Sequence, residues 1–262
     1  MIIALPARAK LNLDLEVVGR RDDGFHDVRT TLQAIDLHDL LTLARAGTTK
    51  LTTSGLELSS MQNNTVLAAH ELLEREAGHA LPAAMHLHKR IPAGSGMGGA
   101  SSDAAATLRG LARIYDLTLD LTSIAKDLGA DVPFFLHGGT ALAQGRGDRL
   151  TPIPTRDQWF AVAWPSIELR TPDVYRAWDD TPGQPPNHLT KAATKIEPRL
   201  EEFANALNSR SSRELEPGKD RWQMTGSGSA FFLRCASAEA ASRVTRNLDC
   251  WTAVTHSVGA WT

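Results

Sequence analysis

Cysteine is scarce in this sequence: Cys235 and Cys250 are the only two in 262 residues. That number excludes a small scaffold stapled by disulfides, and two thiols in a chain without a secretion signal are expected to stay reduced. Long apolar runs are missing too, with nothing near the roughly 20 consecutive apolar residues of a membrane helix. The segment Met1–Lys10 has an apolar patch but neither the basic start nor the apolar core of a signal peptide. A cytoplasmic protein with no membrane partner is the expectation. Positive charge is not in excess either. Twenty-eight Lys and Arg against 30 Asp and Glu leave a net charge of −2, which disfavours nucleic acid as a partner because a phosphate backbone is held by basic surplus. Repeats and low-complexity tracts are absent.

What is present describes an ordinary globular chain, 42% hydrophobic and 22% charged. Its length exceeds the usual domain of about 100–150 residues, so two domains sharing an interface are expected, divided as 1–153 and 154–262. The dense prolines between Thr151 and Pro198 mark the crossover. Leu11–Val17 alternates apolar and polar residues, predicting a strand with Lys10 and Asn12 on its polar face. A turn-rich loop at Gly19–Gly24 follows, then strands at Val28–Leu37 and Leu40–Ala44. Asn64 precedes apolar positions at helical spacing and Gly78 follows them, predicting a capped helix between the two. Met85–Lys89 reads as a strand that runs into a glycine-rich loop and then an alanine-rich helix ending near Tyr115. A strand at Thr140–Gln144, helices near Pro198–Leu207 and Ala238–Leu248, and a last strand at Thr252–Val258 complete a mixed α and β pattern.

The loop carries the strongest chemical signal. Glycines at 94, 96, 98 and 99 allow positive φ and close backbone approach, so successive N–H groups can ring an anion at the start of a helix, where the helix dipole is positive. Taken singly, such a cluster also fits a tight strand-to-helix turn. No Gly-Lys-Ser/Thr closes a Walker-type motif, and no acidic residue stands where a dinucleotide fold holds a ribose.

The run Pro92-Ala93-Gly94-Ser95-Gly96-Met97-Gly98-Gly99-Ala100-Ser101-Ser102 resembles the phosphate loop of the GHMP kinases, named for galactokinase, homoserine kinase, mevalonate kinase and phosphomevalonate kinase. The resemblance extends along most of the chain. Pro6–Leu13 looks like the opening strand of the diphosphocytidyl-methylerythritol kinase branch, and Gly24-Phe25-His26 like its Gly-Tyr-His substrate loop, with phenylalanine replacing tyrosine. Leu128–Phe135 is similar to the segment bearing the catalytic aspartate, and Met224–Gly228 to a second glycine motif. Asn187-His188-Leu189 stands where relatives carry Asn-Asp-Leu.

That resemblance implies an α+β fold of two domains, the first like the second domain of ribosomal protein S5 and the second ferredoxin-like. It also implies phosphorylation, with ATP and Mg²⁺, of the 2-hydroxyl of a cytidyl diphosphate sugar alcohol by a monomer or weak homodimer. Asp131 is then the proton acceptor and Lys10 the group that polarises the alcohol or keeps Asp131 ionised. Residues 92–102 and Asn64 bind ATP. Asn12, Phe25, His26 and, at the sugar or diphosphate end, Thr171 bind the other substrate. Ser102 or Asp131 contacts the metal, whose ligands the sequence leaves open. Without the resemblance, Asp131 reads as a helix cap, Lys10 as a solvated strand lysine, Phe25 as a loop anchor, and Asn12 and Asn64 as a strand position and an N-cap. His86 and His88 share a strand face and read as solvent-facing. The competing functions are a homoserine- or mevalonate-type kinase, a non-catalytic nucleotide- or sugar-binding relative, and a nucleic-acid module, each sharing the loop or the fold.

Overall fold

The computed structural model describes residues 1–57, 64–211 and 221–261. A seven-stranded sheet comes first, made of β1 (Ile2–Asn12), β2 (Glu16–Arg20), β3 (His26–Arg45), β4 (Lys50–Gly55), β5 (Ala83–Lys89), β6 (Thr140–Gly145) and β7 (Arg149–Ile153). Four helices accompany it: α1 (Thr65–Ala77), α2 (Gly99–Tyr115), α3 (Leu121–Leu128) and α4 (Val132–His137). Leu41, Leu43 and Leu87 of the sheet meet Leu73, Leu111 and Phe134 of the helices in one core. Only β4 and β5 run parallel; the other pairs are antiparallel, which fits the alternating pattern of the opening segments.

The remaining elements are β8 (Trp159–Trp164), α5 (Thr171–Asp180), α6 (Thr190–Ile196), α7 (Arg199–Ser211), β9 (Gln223–Met224), β10 (Phe231–Cys235), α8 (Ala238–Thr245) and β11 (Trp251–His256). Their four strands form an antiparallel sheet in the order β11-β8-β10-β9. The unbroken apolar run of β8 has a structural reason. Ala161 and Ala163 face the helices of this sheet, while Phe160 and Val162 face the other way. There they join Phe232 with Leu11, Ile35 and Met97 of the first sheet in a third, shared core. Each large apolar side chain closed off in this way contributes about 1.5–3 kcal/mol.

Two expectations are corrected. The alternation over Leu11–Val17 is not one strand, because β1 ends at Asn12 and β2 begins at Glu16. Asp14 makes the break: its carboxylate accepts the Thr31 backbone N–H at 2.6 Å and the Thr31 hydroxyl at 2.9 Å. The strands expected at Val28–Leu37 and Leu40–Ala44 are one 20-residue strand, β3, which Asp39 does not interrupt because its side chain is paired and buried. The caps of α1 are as expected, with Asn64 accepting from Val66 N and Gly78 left-handed at φ 71°. At the far end, Ala260 bridges Gly138, and Trp261 donates from its backbone to His137 O and from Nε1 to Phe135 O, both at 2.9 Å. The guanidiniums of Arg8 and Arg109 lie 4.0 and 4.2 Å from the Trp261 ring.

Candidate active site

A cleft of about 870 Å³ opens where the two sheets meet, lined by the glycine loop, Lys10, Asp131, Phe25, His26 and Thr171 among others. The loop forms its back wall. Gly94, Gly96 and Gly98 take φ of 61°, 78° and 74°, a region that side chains disfavour. Close approach adds a second requirement: a Cβ on Gly96 would stand 2.4 Å from Thr225 O, and one on Gly98 would stand 2.7 Å from the Phe135 ring. The second glycine motif is thus docked beneath the first, with Ala230 N donating to Ser95 O at 2.9 Å and Ser229 N to Gly94 O at 3.2 Å. Gly98 is also the N-cap of α2 and offers no side chain to its first turn. The free N–H groups there suit an anion.

Not every residue of the loop reaches the cleft. Met97 is buried in the shared core, and it is its carbonyl that takes the Lys10 N–H, at 2.9 Å. Ser102 is buried off the cleft lining, and the Ser95 hydroxyl donates to Pro92 O at 2.7 Å. Asn64 lines the cleft while its Oδ1 caps α1.

Lys10 is buried, not solvated, and the β1–β3 pairing shifts register between Arg8 and Lys10, with the extra residues on β3. Its Nζ donates to Asn12 Oδ1 and lies 3.8 Å from Asp131 Oδ2. Asn12 is fixed in turn by donating to Thr30 Oγ1 at 2.8 Å and, from its backbone, to Thr225 Oγ1 at 2.9 Å. Asp131 occupies the N-cap position of α4 but makes no capping bond, so its carboxylate is left for the cleft.

Behind the loop, Lys89 Nζ donates to Asp39 at 2.5 Å and Asp103 at 2.7 Å, all three side chains buried. Asp39 also accepts the backbone N–H groups of Arg90 and Ile91. Burial pushes the Asp103 carboxyl up to about 8 against the pull of Lys89, with the Asp39 charge adding to the rise. Burial lowers the Lys89 ammonium, but the charges of Asp103 and Asp39 outweigh it and hold it above its ordinary value. The cluster therefore raises the proton affinity of both the Asp103 carboxyl and the Lys89 amine.

At the other end, Phe25 is 49% exposed with the Arg146 guanidinium 3.8 Å from its ring centre. His26 is buried; its Nε2 lies 2.6 Å from Asp179 Oδ1, Tyr175 stacks on it at 5.0 Å, and Trp178 meets its edge. Burial, reinforced by the Asp131 charge, holds the Tyr175 phenol well above its usual pKa. Thr171 shares a hydrogen bond of 2.8 Å with Ser227. Asn187 supports the second glycine motif by donating to Met224 O and Gly226 O at 2.8 and 2.9 Å, and His188 Nδ1 accepts from Val17 N at 3.3 Å. His86 and His88 bond Thr52 and Ser54, and no metal-holding cluster of His, Cys, Asp and Glu occurs among the described residues.

Sequence reasoning missed Tyr175, Asp179, Arg146 and Lys89. A signal existed for two of them: Thr171, Tyr175 and Asp179 are spaced by four on α5, which places them on one helix face.

The chain is similar to known proteins over most of its length. The family described as GHMP kinases N terminal domain matches residues 64–139. A 4-diphosphocytidyl-2-C-methyl-D-erythritol kinase of Moorella thermoacetica is 36% identical, covering 95% of this chain and 95% of its own. One from Chromobacterium violaceum is 38% identical over 93% of this chain and 90% of its own. A crystal structure of a 4-(cytidine 5'-diphospho)-2C-methyl-D-erythritol kinase superposes with TM-score 0.82 at 32% identity, covering 98% of this chain and all of the other. A homoserine kinase from Cytophaga hutchinsonii, 18% identical with TM-score 0.66, shares the fold alone. The α+β architecture is the GHMP kinase fold. Given identity over nearly its whole length, the chain belongs to the 4-diphosphocytidyl-2-C-methyl-D-erythritol kinase family of GHMP kinases.

Proposed function

We propose that this protein transfers the γ-phosphoryl group of ATP to the 2-hydroxyl of 4-diphosphocytidyl-2-C-methyl-D-erythritol. The observation that carries the reading is the buried Lys10 set 3.8 Å from Asp131 in the same cleft as the loop of left-handed glycines. Phosphoryl transfer spreads charge over peripheral oxygens and asks the protein for an anion cradle, a positioned alcohol and a proton acceptor. The loop and the uncapped start of α2 supply the cradle. Asp131 accepts the alcohol proton, and Lys10, held by Asn12, polarises the alcohol and favours the ionised carboxylate.

Mg²⁺ bound with ATP would neutralise phosphate charge in the cleft. The residues present fit it: Asp131 makes no capping bond and would offer a carboxylate oxygen at the cleft. Ser102, buried off the lining, is the weaker ligand.

Phe25 and Tyr175, both on the cleft lining, supply aromatic surface for a cytosine ring, and His26 its polar contact. Thr171, tied to Ser227, serves the sugar or diphosphate end. These aromatic groups favour the cytidyl alcohol over mevalonate or homoserine, which present no flat base. Residues 1–153 then hold ATP, and residues 154–262 add α5 and the second glycine motif. The proposed assembly is a monomer or weak homodimer. No described helix is long and apolar enough to cross a membrane, in keeping with action in the cytoplasm.

ADP release from Mg-ATP, measured with the cytidyl alcohol beside mevalonate, homoserine and no acceptor, tests the reading. Turnover with the cytidyl alcohol alone is expected; turnover only with another alcohol, or none from folded protein that binds ATP, would discard it.

A further inference from the structure

The two ring nitrogens of His26 have different surroundings. Nε2 lies 2.6 Å from Asp179 Oδ1, whereas Nδ1 has no hydrogen-bond partner among the described residues. The ring is held on two further sides, stacked by Tyr175 with 29° between planes and met edge-on by Trp178. Asp179 sits in the last turn of α5, beside the second sheet, and reaches to the start of β3 in the first. Its other oxygen lies 3.6 Å from Arg20 Nη1. His26, Asp179 and Arg20 all line the cleft.

An ionised carboxylate can only accept hydrogen bonds, so the imidazole nitrogen facing it must be the protonated one. In a neutral imidazole the other nitrogen is then a bare acceptor. We propose that Asp179 is a specificity-determining residue. By taking the Nε2–H of His26 it leaves Nδ1 as an acceptor, and the cleft selects a base that presents an amino group over one that presents a carbonyl at the same edge. Cytosine carries that amino group and uracil a carbonyl, so the selection is between cytidyl and uridyl diphosphate alcohols. A site built to pair one such group rejects its opposite because a buried polar atom is otherwise left facing its like. Asp179 acts through His26 and needs no contact with the substrate.

This inference rests on the cytidyl reading above, and two measurements separate them. Long-range ¹H–¹⁵N spectra of the wild-type protein at neutral pH, with His26 assigned by the signals lost in His26→Gln, report which ring nitrogen bears the proton. A protonated Nε2 with a bare Nδ1 is expected; a proton on Nδ1, or on both, overturns the proposal without any variant having to fold. Competition between the cytidyl alcohol and its uridyl counterpart then gives the ratio of their kcat/KM values. That ratio is expected to fall about tenfold or more in Asp179→Ala, the loss of roughly one discriminating hydrogen bond, and an unchanged ratio overturns the proposal. Wild-type protein that phosphorylates neither alcohol would overturn the substrate reading and the selection together, whichever nitrogen carries the proton.

Discussion

Asp131 Oδ2 lies 3.8 Å from Lys10 Nζ, although the position of Asp131 at the start of α4 is one where an aspartate ordinarily caps the helix. The carboxylate is kept for the cleft. Neutralising it by Asp131→Asn, or removing the ammonium by Lys10→Ala, should lower kcat by about 10²–10⁴-fold, with far-ultraviolet circular dichroism unchanged. Near-normal kcat in either folded variant would remove that residue from the mechanism.

Gly96 meets two demands at once, a φ of 78° and a Cβ position 2.4 Å from Thr225 O. Gly96→Ala should therefore lower stability by more than the ~1 kcal/mol of a backbone penalty alone, because the two glycine motifs must separate. The KM for ATP should rise in the same variant. Thermal melting and an ATP titration check both, and a variant with wild-type values would mean that the motifs are not tightly docked.

The buried cluster behind the loop makes a pH prediction. The Asp103 carboxyl is raised from 3.8 to about 8, so the folded state binds a proton that the unfolded chain releases. Its stabilising effect is present below about 4 and is lost as pH rises towards 8. Lys89, also raised, contributes stability that is lost only at strongly alkaline pH. Asp103→Asn, which cannot ionise, should gain on the wild type across the window from about 4 to about 8. Urea midpoints at a series of pH values measure this, and a pH-independent difference would contradict it.

Phe25 is exposed at 49% and backed by Arg146. If it stacks on the base, Phe25→Ala should raise the KM for the cytidyl alcohol by tenfold or more, since a stacked base contributes about 1–3 kcal/mol. The KM for ATP should stay within about twofold of the wild type, because the base and not ATP is the proposed partner of Phe25. Equal effects on both substrates would point to a collapsed cleft rather than a lost stacking partner.

Local signals in the sequence went furthest where one short segment makes the whole feature. Asn64 and Gly78 bound α1 as their chemistry dictates, and the glycines of 94–98 take the left-handed φ that their spacing suggests. Features assembled from distant segments were not legible. The break after Asn12 depends on Asp14 finding Thr31 across the sheet, and the continuity of β3 through Asp39 depends on Lys89, fifty residues away. Lys89 itself reads as one more strand lysine until Asp39 and Asp103 close around it. Tyr175 and Asp179 belong to a helix with a polar surface, and nothing local says that His26 is waiting opposite.

Phe160, Val162 and Phe232 interleave with Leu11, Ile35 and Met97, and that has a consequence for how the molecule comes apart. Neither sheet can lose its structure without baring a shared apolar layer to water, so melting should pass through one cooperative transition, with no half-folded plateau. The same layer resists rotation of one half against the other.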